Sequence, residues 1–592
     1  MDSFWEYFWL VFACFAFSAY VVILFSILTD LFRDHRTSGW AKAVWVFFLF
    51  VLPIIGEMVY LIVRGRGMVE RSARADRRYR AAEDAYIRGG RGDAVAGRPR
   101  DGEITARLGD DHRRGVPRPR GACARGRLTR ALDPGRLPGG RDAVLTPRQP
   151  PRIVVPVTIG SREGRLMTIA GLPTETVTPD PFAPAALGPV RLRNRIIKAA
   201  TSEGRSPEGL VTDDLIDFHL GFVRGGVGMT TVAYCCVAPE GASAPGQILM
   251  SHKALPGLQR LTDAVHAAGG AIAAQLGHAG VVASKKITGV TAMSPSRVIN
   301  PSSLEYCREI TASEIRRVID QFGDAAAIAV EAGFDAVELH FGHLYLPSSF
   351  LSPLLNRRKD EYGGTIDNRS RLVREIAQRV REVVGDRIAV TAKISMDDGI
   401  RGSIWLSESL RTVQLLDRDR NLDAIELTQG SSFFKQMYLF RGDVPVEEFA
   451  AVMKEPFKTG VRLFGKRALG TYPYEDLYML ESARQFVPVV SETQLILLGG
   501  INNYDHIATG MREGFGFVAM GRALLREPDL VSRIQADRTV SGRCNHNNKC
   551  MYTVYGRTHC VLDPDSTHGA AGPATATSFT ADRSRELPIT PA

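Results

Sequence analysis

The chain has 592 residues, of which 45% are hydrophobic and 23% charged; this is long enough for several domains and too apolar to be disordered throughout. Its eight cysteines are scattered without the dense, even framework of a small secreted domain, which excludes a disulfide-stapled fold and points to a reducing compartment. The formal net charge is +10, yet Arg64 to Arg152 alone holds 23 Arg, no Lys and 11 Asp or Glu; without interleaved aromatics or module spacing, this tract is a solvated linker and no nucleic-acid partner is expected.

In chain order, residues 8–28 are uncharged and nearly all apolar, and residues 43–63 form a second long apolar run broken only by Pro53, Gly56 and Glu57. At 1.5 Å per residue either run crosses ~30 Å of hydrocarbon. Asp2 and Glu6 replace the basic start of a signal peptide, and the arginines from Arg64 onward outnumber those of the short connecting loop. A transmembrane hairpin over residues 1–80 is therefore expected, with both ends and the catalytic part in the cytoplasm. The segments Ser38 to Trp45 and Leu61 to Met68 resemble the two-helix module at the N-terminus of cardiolipin synthases, named after phospholipase D. The module lacks their catalytic motif, so no phospholipid chemistry is implied.

Residues 81–179 are expected to be a disordered linker; from residue 88 Arg, Gly, Pro, Ala and Asp dominate, with neither helical nor strand periodicity. All-Arg composition is also what GC-rich DNA gives when read out of frame, and Met167 offers a fresh start. The two halves are thus expected to be joined neighbours, by fusion or by frame error, the enzyme being cytoplasmic if it starts at Met167.

Over residues 180–540, short β-branched runs alternate with helical segments, the pattern of parallel α/β architecture. The expected strands are 196–201, 228–237, 271–278, 336–343, 388–395, 424–431, 494–501 and 517–524. Eight such units make a (β/α)8 TIM barrel, whose active site lies at the C-terminal strand ends. Thr311-Ala-Ser-Glu314 reads as a capping box opening a helix with apolar residues from Ile315 to Val330 at helical spacing, stopped by Gly333. The connection 432–493 is longer than a simple crossover and should overhang the barrel mouth.

The fourth strand delivers His340, His343 and Tyr345 within six positions at its end. Past a strand end the chain turns, so two imidazoles and a phenol can converge on one polar atom such as a carbonyl oxygen. These residues, in His340-Phe-Gly-His343-Leu-Tyr345, and the run Asp360-Glu-Tyr-Gly-Gly-Thr-Ile-Asp-Asn-Arg369 resemble the hallmark segment of the old yellow enzyme family of FMN-dependent ene-reductases. The resemblance implies that FMN lies across the mouth and is reduced by NADH or NADPH. It implies that His340 and His343 hydrogen-bond an electron-poor alkene, and that Tyr345 donates the proton.

The same resemblance implies the flavin contacts. Ala199 and Ser202, in Lys198-Ala-Ala-Thr-Ser202, occupy the first flavin segment, with Ala200 in place of the usual Pro. Gln275, in Gln-Leu-Gly-His-Ala-Gly280, pairs with the pyrimidine edge, His278 being structural; Lys393 stands where many relatives have Arg, near flavin N1 and O2. Gly499, Gly500, Gly521 and Arg522 supply the phosphate site after strands seven and eight. From a different class, a non-redox barrel lyase would use Lys393 as a Schiff-base amine. In residues 541–592, Cys544, Cys550 and Cys560 resemble the [4Fe–4S] region of 2,4-dienoyl-CoA reductases, but Asn547 replaces the second ligand, so neither a cluster nor any other metal is expected; a flexible tail follows.

Overall fold

The computed structural model describes residues 178–563, apart from 301–304, 433, 434, 452, 454 and 456, together with one helix and scattered residues among the first 63. The chain divides into two units, Met1–Ile159 and Gly160–Ala592.

In the first unit, helix α1 (Gly39–Val51) begins four residues ahead of the expected second span, because the Ser38 hydroxyl accepts from the Ala41 amide at 3.3 Å and caps it. Leu49 packs with Leu24, Ile27, Leu31 and Tyr60, and Trp45 meets the Tyr60 ring edge-on at 5.0 Å. Among the described residues no helix is long and apolar enough to cross a membrane. The expected span 8–28 and the expected disordered linker fall largely outside the described residues, as do residues 52–58, 61 and 62 of the span 43–63 and the tail beyond residue 563.

In the second unit eight parallel strands close a barrel: β1 Ile196–Lys198, β2 Met229–Cys236, β3 Ala271–Gly277, β4 Ala336–Phe341, β5 Ala389–Ser395, β6 Ala424–Thr428, β7 Gln494–Leu498 and β8 Phe517–Met520. Each pairs with its neighbour in sequence, and β8 pairs back to β1 through Val518 opposite Ile196, which leaves no free edge. All eight starts fall within a residue of those read from the sequence, but most of the expected C-terminal ends run too long. At β4 the reason is local: His343 and Leu344 take φ of +60° and +63°, which turns the chain out of the sheet.

Side-chain alternation sorts the barrel wall into two faces. Ala271, Ala273, Ala336, Ala389, Ala424 and Ala519 point inward with Ile197, Ile496 and Phe517, and their small volume lets the strands close tightly. An antiparallel hairpin, Ala185–Leu187 against Val190–Leu192, plugs this end with Leu187 and Leu192. The outward faces of the strands carry Val, Ile and Leu under helices, including α2 (Asp213–Arg224), α3 (Leu255–Ala267), α4 (Ala312–Glu331), α5 (Arg371–Val384) and α6 (Leu406–Asp419). The expected capping box opens α4: Thr311 accepts from the Glu314 amide while the Glu314 carboxylate returns to the Thr311 amide. Such a cap contributes ~1 kcal/mol.

The run after β4 that carries the family resemblance is a latch. Buried Asn356 donates to the carbonyls of Phe350 at 2.8 Å and Tyr362 at 2.7 Å, and Arg358 donates to those of Pro295 and Ile310 at 3.0 and 2.8 Å. Arg369 reaches the carbonyls of Leu351 and Gly364 and the Glu408 carboxylate on α6. A Cβ on Gly363 would lie 2.2 Å from the Arg358 carbonyl, so only glycine fits there. These residues fix the loop that carries Tyr345.

Candidate active site at the barrel mouth

Above the alanine layer the barrel interior turns polar. Continuing the inward alternation of Ala273, Ala336 and Ala424 brings Gln275, Glu338 and Glu426 to the axis, Gln275 in register with Glu338 and Lys393 in register with Glu426. Lys393 Nζ lies 3.1 Å from Glu338 Oε1 and 2.8 Å from Glu426 Oε1, and Gln275 Nε2 donates to Glu338 Oε1 at 2.7 Å. Burial opposes the lysine's charge, but the two carboxylates outweigh it and hold the ammonium above the usual lysine range. Burial, together with the neighbouring Glu338, raises Glu426. Lys393 is thus kept protonated, the wrong state for the amine of a Schiff-base lyase. Glu338 and Glu426 were not among the expected site residues, although the period-two pattern alone places them inside.

One layer higher, His340 stands opposite Lys393 and 4% exposed. Its ring centroid is 4.5 Å from that of Tyr345 and 5.2 Å from that of His343, and Tyr234 closes the group at 5.4 Å from Tyr345. The structure therefore brings all three expected rings together. His343 Nε2 meets Thr428 Oγ1 at 3.1 Å and its amide donates to Ser395 Oγ at 3.0 Å, so β5 and β6 fix it. The Tyr345 hydroxyl lies 3.4 Å from Ser243 Oγ and near the Ser432 hydroxyl, two partners with no sequence signal of their own. His340 Nδ1 is buried with no hydrogen-bond partner.

Electrostatics follow from burial. Desolvation, then the neighbouring His343 and Lys393, hold the His340 imidazole well below its ordinary value, and the first and last of these push His343 down to about 3. Both rings are neutral near pH 7 and each carries one N–H. Burial raises the Tyr345 phenol, which stays protonated.

The other expected residues divide between two places. Ala199 is buried at the end of β1, its amide donating to the Met520 carbonyl at 2.9 Å. The Ser202 carbonyl accepts from Thr558 Oγ1 at 2.5 Å, the Thr558 amide donates to the Glu203 carbonyl at 2.9 Å, and Arg205 donates to the Thr558 carbonyl at 2.9 Å. Gly204 lies so close to Gly556 that an added Cβ would overlap its carbonyl. The segment behind the expected flavin edge is therefore stitched to residues 556–558. His278 is structural: its Nδ1 accepts from the Gly280 amide at 3.1 Å, and burial lowers it to about 4.

After β7 and β8, Gly499 and Gly500 take φ of +100° and +71°, and a Cβ on Gly500 would come within 2.5 Å of the Leu477 amide nitrogen. At Gly521 an added Cβ would meet nothing within 4 Å, so the backbone there borders open space. Arg522 is anchored by the Asn548 side chain and the carbonyls of Phe440 and Arg441. An amide and an ammonium inside one edge of the mouth, an orphaned imidazole nitrogen above them, and glycine backbone bordering open space beside a guanidinium together suit an FMN molecule.

Cys544, Cys550 and Cys560 line one small cavity with His546 and Asn547. Among the described residues no group of three or more His, Cys, Asp or Glu could hold a metal ion.

Residues 180–429 match the NADH:flavin oxidoreductase / NADH oxidase family, and residues 18–65 match the phospholipase D-nuclease N-terminal family. The chain is 48% identical over 389 residues to the 4,4'-dithiodibutanoate disulfide reductase of Rhodococcus erythropolis, an alignment covering 66% of this chain and 96% of that protein. It is 30% identical over 403 residues to the NADH oxidase of Thermoanaerobacter brockii, with 65% of this chain and 56% of that protein covered. The metal reductase of Desulforamulus reducens is 32% identical, with 60% of this chain and 48% of the relative covered, so the chain spans about half the length of these last two proteins. Among solved structures, the old yellow enzyme homologue from Zymomonas mobilis shares the fold at a TM-score of 0.51 and 22% identity, over 66% of this chain and 98% of that one. With the disulfide reductase matched over nearly its whole length, the chain belongs to the NADH:flavin oxidoreductase / NADH oxidase family.

Proposed function

We propose that this chain is an FMN-dependent reductase that draws hydride from NADH or NADPH and delivers it to the activated C=C bond of an enone-like acceptor. When bound, FMN supplies the two-electron chemistry that joins the two half-reactions. The observation that carries the reading is the orphaned, buried Nδ1 of His340 beside the Tyr345 ring. In this reading His340 and His343 donate to the acceptor's carbonyl or nitro oxygen, and so stabilise the charge that gathers there as hydride arrives at Cβ. Tyr345 gives its hydroxyl proton to Cα and is reprotonated through Ser243 and Ser432. Gln275 and Lys393 serve the flavin's pyrimidine edge, Ala199 and Ser202 its carbonyl edge, and Gly499, Gly500, Gly521 and Arg522 its phosphate.

The test is anaerobic stopped-flow on the protein purified with FMN. The protein should be yellow and bleach with NADPH, and cyclohexenone should restore the colour. Tyr345→Phe should slow that second step by ~100-fold, the size of a general-acid contribution, while bleaching changes less than ~2-fold. A colourless protein after soaking in FMN would overturn the assignment.

The kinship to the Rhodococcus erythropolis disulfide reductase favours a second acceptor, an organic disulfide. The balance is then one disulfide, one NAD(P)H and one proton to two thiols and NAD(P)+, with Tyr345 protonating the leaving thiolate. Free-thiol titration after anaerobic turnover distinguishes it from alkene reduction. The match of residues 18–65 supports a further reading, in which the N-terminal hairpin holds the enzyme at the cytoplasmic face of a membrane; loss of the protein from a washed membrane fraction would overturn it.

A further inference from the structure

Arg441 lies in the long connection between β6 and β7, and its guanidinium has no use in the chemistry above. The segment leading to it starts at the active site: Ser431 bridges to His343, and Ser432 reaches the Tyr345 hydroxyl. It continues through Tyr438, whose carbonyl accepts from Gln429 at 3.0 Å and whose hydroxyl donates to Asp397 at the end of β5. At Arg441 the backbone takes φ of +53°, an uncommon conformation for a residue with a side chain, and this turn aims the guanidinium among three tyrosines. Its carbon lies 4.9, 5.2 and 5.7 Å from the ring centroids of Tyr438, Tyr472 and Tyr478. Its Nε is buried with no acceptor, and among the described residues no carboxylate pairs with the group.

An arginine in such surroundings is incompletely satisfied. Ring faces attract the cation but leave its in-plane N–H fork empty, and that fork matches a carboxylate or phosphate. Positive charge is reinforced next door, because Arg522 donates to the carbonyls of Phe440 and Arg441 themselves. Arg369 and Arg374 of the same unit, by contrast, have carboxylate partners in Glu408 and Asp419.

We propose that Arg441 is an anion clamp of the barrel mouth, its guanidinium gripping the oxyanion of a molecule bound beneath it. Two molecules of the reaction proposed above could present that group, the phosphate of the flavin or a carboxylate on the acceptor, and the clamp rests on that reading only for their identity. The tyrosine walls hold the guanidinium plane in place before the anion arrives, so little conformational entropy is lost on binding.

Calorimetric titration of the full chain and its Arg441→Met and Arg441→Lys variants tests this in two arms: FMN against riboflavin on flavin-stripped protein, and 3-benzoylacrylate against its methyl ester on flavin-loaded and stripped protein. The expected result is a ~10-fold or greater loss of preference for one anion over its neutral counterpart in Arg441→Met, partly restored by Lys, which keeps the charge without the fork. Loss in the first arm names the flavin phosphate; loss in the second names the acceptor carboxylate. If both preferences survive in Arg441→Met with an unchanged melting temperature, or if anion and neutral partner weaken equally, the clamp is overturned. Failure to bind any flavin would sink the proposed redox function, while the second arm on stripped protein would still decide the clamp.

Discussion

His340 and His343 are neutral because they are buried beside a lysine that two carboxylates keep charged, and this has a consequence for stability. In the unfolded chain both imidazoles take up protons as the pH falls below ~6.5, whereas folded His343 holds out to about 3 and His278 to about 4. The unfolded state therefore binds more protons in that window; stability is full above ~6.5 and lost on acidification, at up to ~1.4 kcal/mol per pH unit for each such ring. The melting temperature should fall steadily from pH 6.5 to pH 4.5, and His343→Gln should flatten the slope. A slope unchanged by that substitution would mean that other groups dominate. The same residues show what a sequence discloses: His340, His343 and Tyr345 stand out by crowding. Glu338 and Glu426 read as ordinary strand residues until the barrel closes and leaves Lys393 between them.

At the scale of elements, the strands were legible because β-branched runs alternate with helices, and α4 because its capping box and apolar spacing agree. What was not legible is where strands stop and what the long β6–β7 connection does, since both are decided by tertiary contacts. The turns after β7 and β8 give a paired prediction. At Gly500 a side chain would both clash with Leu477 and adopt a positive φ, so Gly500→Ala should destabilise the fold by ~2 kcal/mol or more, read by chemical denaturation. At Gly521 there is room, so Gly521→Ala should keep the melting temperature yet weaken FMN ~10-fold if its backbone cradles the phosphate. Equal FMN affinity in Gly521→Ala would place the phosphate elsewhere.

For the whole molecule, the barrel's strands, helices and candidate site all lie within the second unit, Gly160–Ala592. Protein translated from Met167 should therefore fold, bind FMN and turn over at the rate of the full chain, within ~2-fold, in a stopped-flow comparison. A colourless shortened protein beside a yellow full-length one would show that the first unit is needed. The course of residues 541–563 was hidden in the sequence, because its partners lie some 350 positions upstream, as between Thr558 and Ser202.

That last attachment makes the two ends of the barrel polypeptide answer to each other. Once β8 has paired with β1, the wall is already complete; the added grip of Arg557 and Thr558 on Ser202, Glu203, Arg205 and Asp214 therefore contributes nothing to closure. What it restrains is the rim where the coloured group would rest, so a nick near residue 556 should leave a sound cylinder that has loosened its hold on its pigment.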